Sequence, residues 1–141
     1  MKKLFIIASA LLVAFSSCKK DDPAPTCNLD NNGILGSYKI TSILYKANTA
    51  TPEVDIFALY DGCQKDDILT MLSNGTYTIT EGATTCTPTN ADSGTWSLSG
   101  STLTLDGTDP GTVSNFSCSG FTLTQTFAAT GETTKITLVK Q

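Results

Sequence analysis

From Ile34 onward the chain is a series of short runs in which apolar residues alternate with threonine, serine or charged residues, the period of half-buried strands. In the first run Ile34, Gly36, Tyr38, Ile40, Ser42 and Leu44 share one face, with Lys39 and Thr41 on the other. Two runs meet at Asn74-Gly75, where a two-residue turn with positive φ at both positions predicts a hairpin. That register sets Leu72 opposite Tyr77, Thr70 opposite Ile79 and Ile68 opposite Glu81 on one face, with Leu69, Met71, Thr78 and Thr80 on the other. A turn at Ser99-Gly100 sets Trp96 against Leu103 and Gly94 against Leu105. Val113 to Cys118 and Phe121 to Phe127 form a third hairpin about Ser119-Gly120, with Phe116 facing Leu123. A loop from Ala128 to Gly131 then brings Leu138 opposite Phe121 and Ile136 opposite Leu123, because a one-residue slip would scramble the apolar faces.

These runs predict an all-β domain of eight strands in mostly nearest-neighbour order. Closure removes sheet edges, so an eight-stranded antiparallel up-and-down barrel is the leading fold, with a two-sheet sandwich behind it. Thr51-Pro52-Glu53 opens a segment through Tyr60 that predicts a short helical lid after the first strand, with Val54, Phe57 and Tyr60 turned inward. The inward aromatics Tyr38, Tyr77, Trp96, Phe116 and Phe121 are the candidate ligand-binding residues. An interior of eight strands is just wide enough either to be filled by such side chains or to hold one small ligand.

The start of the chain has a different pattern. Lys2 and Lys3, a twelve-residue apolar run from Leu4 to Phe15 and then Ser16-Ser17-Cys18 read as a secretory signal, too short for a bilayer span of about 20 residues. Phe15-Ser16-Ser17-Cys18 resembles a bacterial lipobox, with Phe15 in place of the usual leucine, which implies acylation of Cys18 by chains such as palmitate. Cys18-Lys19-Lys20-Asp21-Asp22 resembles the Lys-plus-acidic signal that sends lipoproteins of Bacteroidota to the outer leaflet of the outer membrane. The expected organisation is a lipoprotein signal peptide at 1–17, a lipidated N-terminus and tether at 18–33, and a barrel domain at 34–141. The expected location is the outer membrane, lipid-anchored and facing the cell surface; more than one acyl chain is needed for stable anchoring.

Loss of residues 1–17 leaves 7 lysines against 13 acidic residues, a net charge of −6, with no arginine and no histidine in the chain. This balance argues against nucleic acid as a partner. Four cysteines remain besides Cys18. Cys63 and Cys86 mirror each other about the Asn74-Gly75 turn, which favours their pairing and leaves Cys27 with Cys118; of the three possible pairings this one would strap the tether to the barrel nine residues from Cys18. No C-x-x-C spacing or histidine supports a zinc site, and no metal or cofactor is expected. Without histidine or arginine, the usual acid-base partner and planar anion clamp are missing, and no catalytic residue is assigned. Asp66-Asp67 reads as a solvated strand start whose carboxylates point to opposite faces, and Asp106 with Asp109 as a turn, in preference to calcium ligands. Glu81 is expected inward at a strand end that solvent reaches. Tyr45 and Tyr60 are the candidates for a glycan-binding aromatic pair.

Leu35-Gly36-Ser37-Tyr38-Lys39-Ile40, Cys63-Gln64-Lys65-Asp66-Asp67-Ile68-Leu69, Asn74-Gly75-Thr76-Tyr77 and Gly94-Thr95-Trp96-Ser97-Leu98 together resemble the lipocalin-like domain of many small lipoproteins of Bacteroidota. Tyr38 stands where the lipocalin Gly-x-Trp signature has tryptophan. The resemblance implies a calyx-type barrel and a small, largely apolar ligand. The function expected is therefore non-enzymatic binding or carriage of such a molecule. The alternative is a ligand-free, packed barrel that serves a surface protein partner as an accessory subunit, for example of a glycan-uptake or transport complex.

Overall fold

A computed structural model describes residues 26–141. The expected signal segment 1–17, the lipidation site Cys18 and the first part of the tether lie outside the described residues.

Nine strands follow in chain order: β1 (Gly36–Lys46), β2 (Val54–Asp55), β3 (Ile68–Met71), β4 (Thr76–Thr80), β5 (Asp92–Ser99), β6 (Thr102–Leu105), β7 (Asp109–Ser117), β8 (Gly120–Phe127) and β9 (Glu132–Lys140). All pair antiparallel. β3 to β9 pair in sequence order, and β1 closes the ring by joining β9 along one edge and β3 along the other. Eight strands thus form the closed barrel, and the two-residue β2 is an addition beside β1, bonded at Leu44 and Tyr45. One end carries residues 26–35, the short hairpin turns near 73–75, 100–101 and 118–119, and the C-terminus; the other carries the longer connections 47–67, 81–91, 106–108 and 128–131.

The helical lid is not formed; a single turn of 3-10 helix at Phe57–Leu59 stands in its place. β3 covers only the first four residues of its edge of β1, so the backbone of 54–56 pairs with the rest, through β2 and the Ile56 N–H to Ile43 carbonyl bond of 2.9 Å. Thr51, the expected cap, instead closes a turn with Asn48. Val54, Leu59 and Tyr60 consequently face out, at 50%, 82% and 38% exposure.

Three expected registers are corrected. In β3–β4 the loop has three residues, Ser73-Asn74-Gly75, closed by Leu72 N–H to Thr76 O at 2.9 Å and Gly75 N–H to Leu72 O at 3.2 Å. Only Gly75 takes positive φ (+79°), while the Asn74 carboxamide oxygen accepts from the Thr76 backbone and hydroxyl. Met71 therefore opposes Tyr77 and Leu69 opposes Ile79, and the single-residue slip turns Leu69 and Met71 inward instead of Ile68, Thr70 and Leu72. In β5–β6 the turn is Gly100-Ser101 and Trp96 meets Leu105, a two-residue displacement that preserves the faces. In β7–β8 a bulge at Asn115 (φ +52°) places Val113, not Phe116, opposite Leu123. A second bulge at Thr41 makes Ile43 the buried residue in place of Ser42 and Leu44. β8–β9 has the expected register, Phe121 with Leu138 and Leu123 with Ile136.

Candidate functional site

The barrel interior falls into two halves. At the end that carries residues 26–35, inward side chains interdigitate and leave no room: Ile34, Tyr38, Met71, Leu103 and Phe121 are each at most 3% exposed. Tyr38 meets Phe121 edge-on at 5.1 Å between ring centroids, and its hydroxyl donates to the Ile34 carbonyl at 2.9 Å. Phe116 packs beside Phe121 at 6.3 Å, and the Trp96 indole N–H ties the strand to the neighbouring turn through Leu72 O at 3.0 Å. A disulfide from Cys27 to Cys118, with Cα atoms 5.2 Å apart, holds the N-terminal segment across this end.

Toward the longer loops the same alternation aims aliphatic side chains at the axis, and they do not meet. Ile40, Leu69, Ile79, Leu105 and Ile136 are only half-buried although they point inward. With Tyr77, Leu123 and Leu138 they line a cavity of about 160 Å³. The mouth loops 61–67 and 81–91 are joined by the Cys63–Cys86 disulfide, with Cα atoms 5.3 Å apart. Glu81 is not an inward group: its carboxylate accepts from Cys86 N (2.5 Å), Thr89 Oγ1 (2.6 Å) and Asn90 N (2.7 Å) and so folds the second loop. The hydroxyl of Thr89 first, and then the loop amides, hold its carboxyl below the usual range against the opposing effect of burial.

One charged residue lines the cavity, Asp67. Its Oδ2 receives a long contact from Asn90 Nδ2 at 3.4 Å, while its Oδ1 is shielded from solvent and has no hydrogen-bond partner. Burial pushes the Asp67 carboxyl up and the charges of Glu81 and Asp66 raise it further, while Asn90 and the Gly82 backbone N–H pull it down. Asp66, expected to be solvated, also has a shielded Oδ1, and its Oδ2 accepts from Thr84 N at 2.9 Å.

Residues 34–125, more than half of the chain, match the family model of the lipocalin-like domain. The chain belongs to the lipocalin-like family. No curated protein and no solved structure matches it.

In this lipocalin-like barrel the five candidate aromatics separate. Tyr77 lines the cavity; Tyr38 and Phe121 lie deep in the packed half, with Phe116 half-buried beside them and Trp96 at its rim. The aliphatic lining and Asp67 were not expected. Their signal lay in the strand alternation: two-residue steps back from Met71 pass Leu69 and reach Asp67, a path hidden by the slipped register. Tyr45 and Tyr60 do not form a ring pair; the ring that packs against Tyr60 is Phe57, at 5.8 Å. Among the described residues no group of three or more His, Cys, Asp or Glu is placed to hold a metal.

The Tyr77 ring crosses Gly94, its partner on β5, to donate from its hydroxyl to Asp106 Oδ2 at 2.7 Å, while Asp106 Oδ1 accepts from Thr95 N at 2.8 Å. A Cβ on Gly94 would lie 2.1 Å from Asp106 Oδ1 and 2.7 Å from the ring, so glycine is what lets this bridge span the cavity wall. The Asp106 bond first, then burial and neighbouring carboxylates, push the Tyr77 phenol up to about 12. A raised phenol contributes stability below its unfolded value near 10, and that contribution disappears as pH climbs to about 12. Circular-dichroism melts from pH 9 to 12 are therefore expected to show a steeper alkaline fall for the native protein than for Tyr77→Phe. Parallel curves would show that the bridge carries no such coupling.

Proposed function

We propose that the protein is an exported barrel, anchored through an acylated Cys18 in the outer membrane at the cell surface, that binds a small, mostly apolar molecule without enzymatic chemistry. The observation that carries this reading is the division of the interior, with one half packed shut and the other holding a cavity of about 160 Å³. An engineered apolar cavity of about 150 Å³ takes up benzene. The anchor supplies an orientation. Cys18 precedes Cys27 by nine residues, and Cys27 is bonded at the packed end, so the cavity half would face away from the membrane.

A second reading, a packed accessory subunit for a surface protein, is favoured by the cavity's size, about half the roughly 300 Å³ at which ligand pockets begin. The outward Val54, Leu59 and Tyr60 also favour it.

Methyl NMR on the intact protein separates the two. Toluene is expected to shift the methyl signals of Ile79, Leu105, Leu123 and Ile136 with saturable dependence, and Ile79→Phe, which fills the space, is expected to abolish the effect. Unmoved signals would leave the accessory subunit as the better reading.

A further inference from the structure

We propose that the cavity selects an amine: a ligand with a small apolar body and a protonated amino group that docks on Asp67 at the mouth. This rests on the cavity reading above and adds the polar half of the ligand. Around the cavity the walls are aliphatic apart from Tyr77 and Asp67, and the Tyr77 hydroxyl is already committed to Asp106. Asp67 Oδ1 is shielded from solvent and forms no hydrogen bond of its own, while the donors beside the carboxyl are the Asn90 carboxamide on Oδ2, at a long 3.4 Å, and the Gly82 backbone N–H. A shielded carboxylate oxygen without a partner is unfavourable, and a donor bound in the cavity relieves it once rotation of the Asp67 side chain turns that oxygen toward the cavity.

The surroundings decide the sign of that donor. Asp66 and Glu81 both act on Asp67 with like charge, and the ion pair among the described residues, Lys135 with Glu53, lies elsewhere. The cation of the same mouth loop, Lys65, is turned to the Ala58 carbonyl at 3.0 Å, so the charges acting on Asp67 are carboxylates and oppose a carboxylate-bearing ligand such as a fatty acid. A metal ion would need several carboxylates converging on one point, whereas here a single carboxylate meets an apolar wall. A cation that brings its own apolar group satisfies both surfaces. Burial of the free carboxylate raises the Asp67 carboxyl in the empty site, and a bound ammonium would offset this.

Benzylamine, toluene and benzoate have one shape and three charges, and the cavity volume suits a single ring. Methyl NMR titration of the intact, disulfide-bonded protein at pH 7 is expected to show benzylamine binding roughly ten- to hundredfold more tightly than toluene, the range of a charge-assisted hydrogen bond, with benzoate weaker than toluene. Asp67→Asn, nearly isosteric, is expected to bring benzylamine down to the level of toluene. If toluene binds and benzylamine is no tighter, the amine proposal is overturned while the cavity reading survives. If the preference persists in Asp67→Asn, the proposal is likewise overturned. If none of the three binds the native protein, both fall. The comparison of the three probes on the native protein needs no variant, so a poorly folded Asp67→Asn does not rescue the idea.

Discussion

Tyr38→Ala is expected to lower the stability of the barrel by about 3–5 kcal/mol, the range for removal of a large buried aromatic. Tyr38 is 1% exposed, stands edge-on to Phe121, and carries the Lys140 ammonium 5.7 Å from its ring centroid. Its hydroxyl also holds the Ile34 carbonyl, so alanine removes both the filling of the closed end and the tie to the segment that covers it. Tyr38→Phe, which keeps the ring, is expected to cost about 1 kcal/mol. Urea unfolding gives both values. A cost below about 1.5 kcal/mol for Tyr38→Ala would mean that the surrounding side chains collapse into the space. Otherwise the cavity extends toward the closed end, and toluene is expected to shift the methyls of Met71, Leu103 and Val113 in the variant but not in the native protein.

Removal of the Cys27–Cys118 disulfide by double serine substitution is expected to cost about 4–5 kcal/mol, and removal of Cys63–Cys86 about 3 kcal/mol. The two bridges span 91 and 23 residues, and the entropy lost by the unfolded chain grows with the logarithm of that span. The longer bridge has a second effect in the same direction, since it pins the segment whose Ile34 is fully buried and whose Leu29 packs on the core. Denaturant unfolding of the two double variants checks the order. If Cys63–Cys86 proves the costlier loss, contacts in the mouth loops, and not chain entropy, dominate. The shorter bridge is placed to act on exchange: without it the loops that rim the cavity lose their covalent link and keep hydrogen bonds such as Thr84 N–H to Asp66 Oδ2, and faster release of a bound probe is the expected result.

Much of this architecture was legible because period-2 alternation reports directly which strands are half-buried. The β8–β9 register was legible for a sharper reason: Phe121, Leu123, Ile136 and Leu138 are apolar on one face only, so one alignment buries them all. β3 offered no such choice. Ile68 and Leu72 on one face compete with Leu69 and Met71 on the other, and the decision fell to a three-residue turn in which Asn74 uses its side chain and only Gly75 its positive φ. That decision also determined the candidate site, because it turned Asp67 toward the cavity. The bulges at Thr41 and Asn115 were equally hidden, since a bulge answers to sheet curvature and closure and leaves little mark on local pattern.

The residues alone pointed to an antiparallel barrel ahead of a two-sheet sandwich, to its hairpin order and to the favoured pairing of four cysteines, since alternation and turn residues are local properties of the chain. The two disulfides form as favoured, although the mirror spacing of Cys63 and Cys86 assumed a register that is shifted by one residue. Whether the aromatics filled the interior was a tertiary matter. Tyr38, Phe116, Phe121 and Trp96 gather at one end, where the N-terminal segment crosses, and the strands pass beyond them with aliphatic side chains too short to meet across the axis. The cavity, and the shielded carboxylate oxygen beside it, exist because closure brings these faces to one distance from each other, and no stretch of sequence carries that distance.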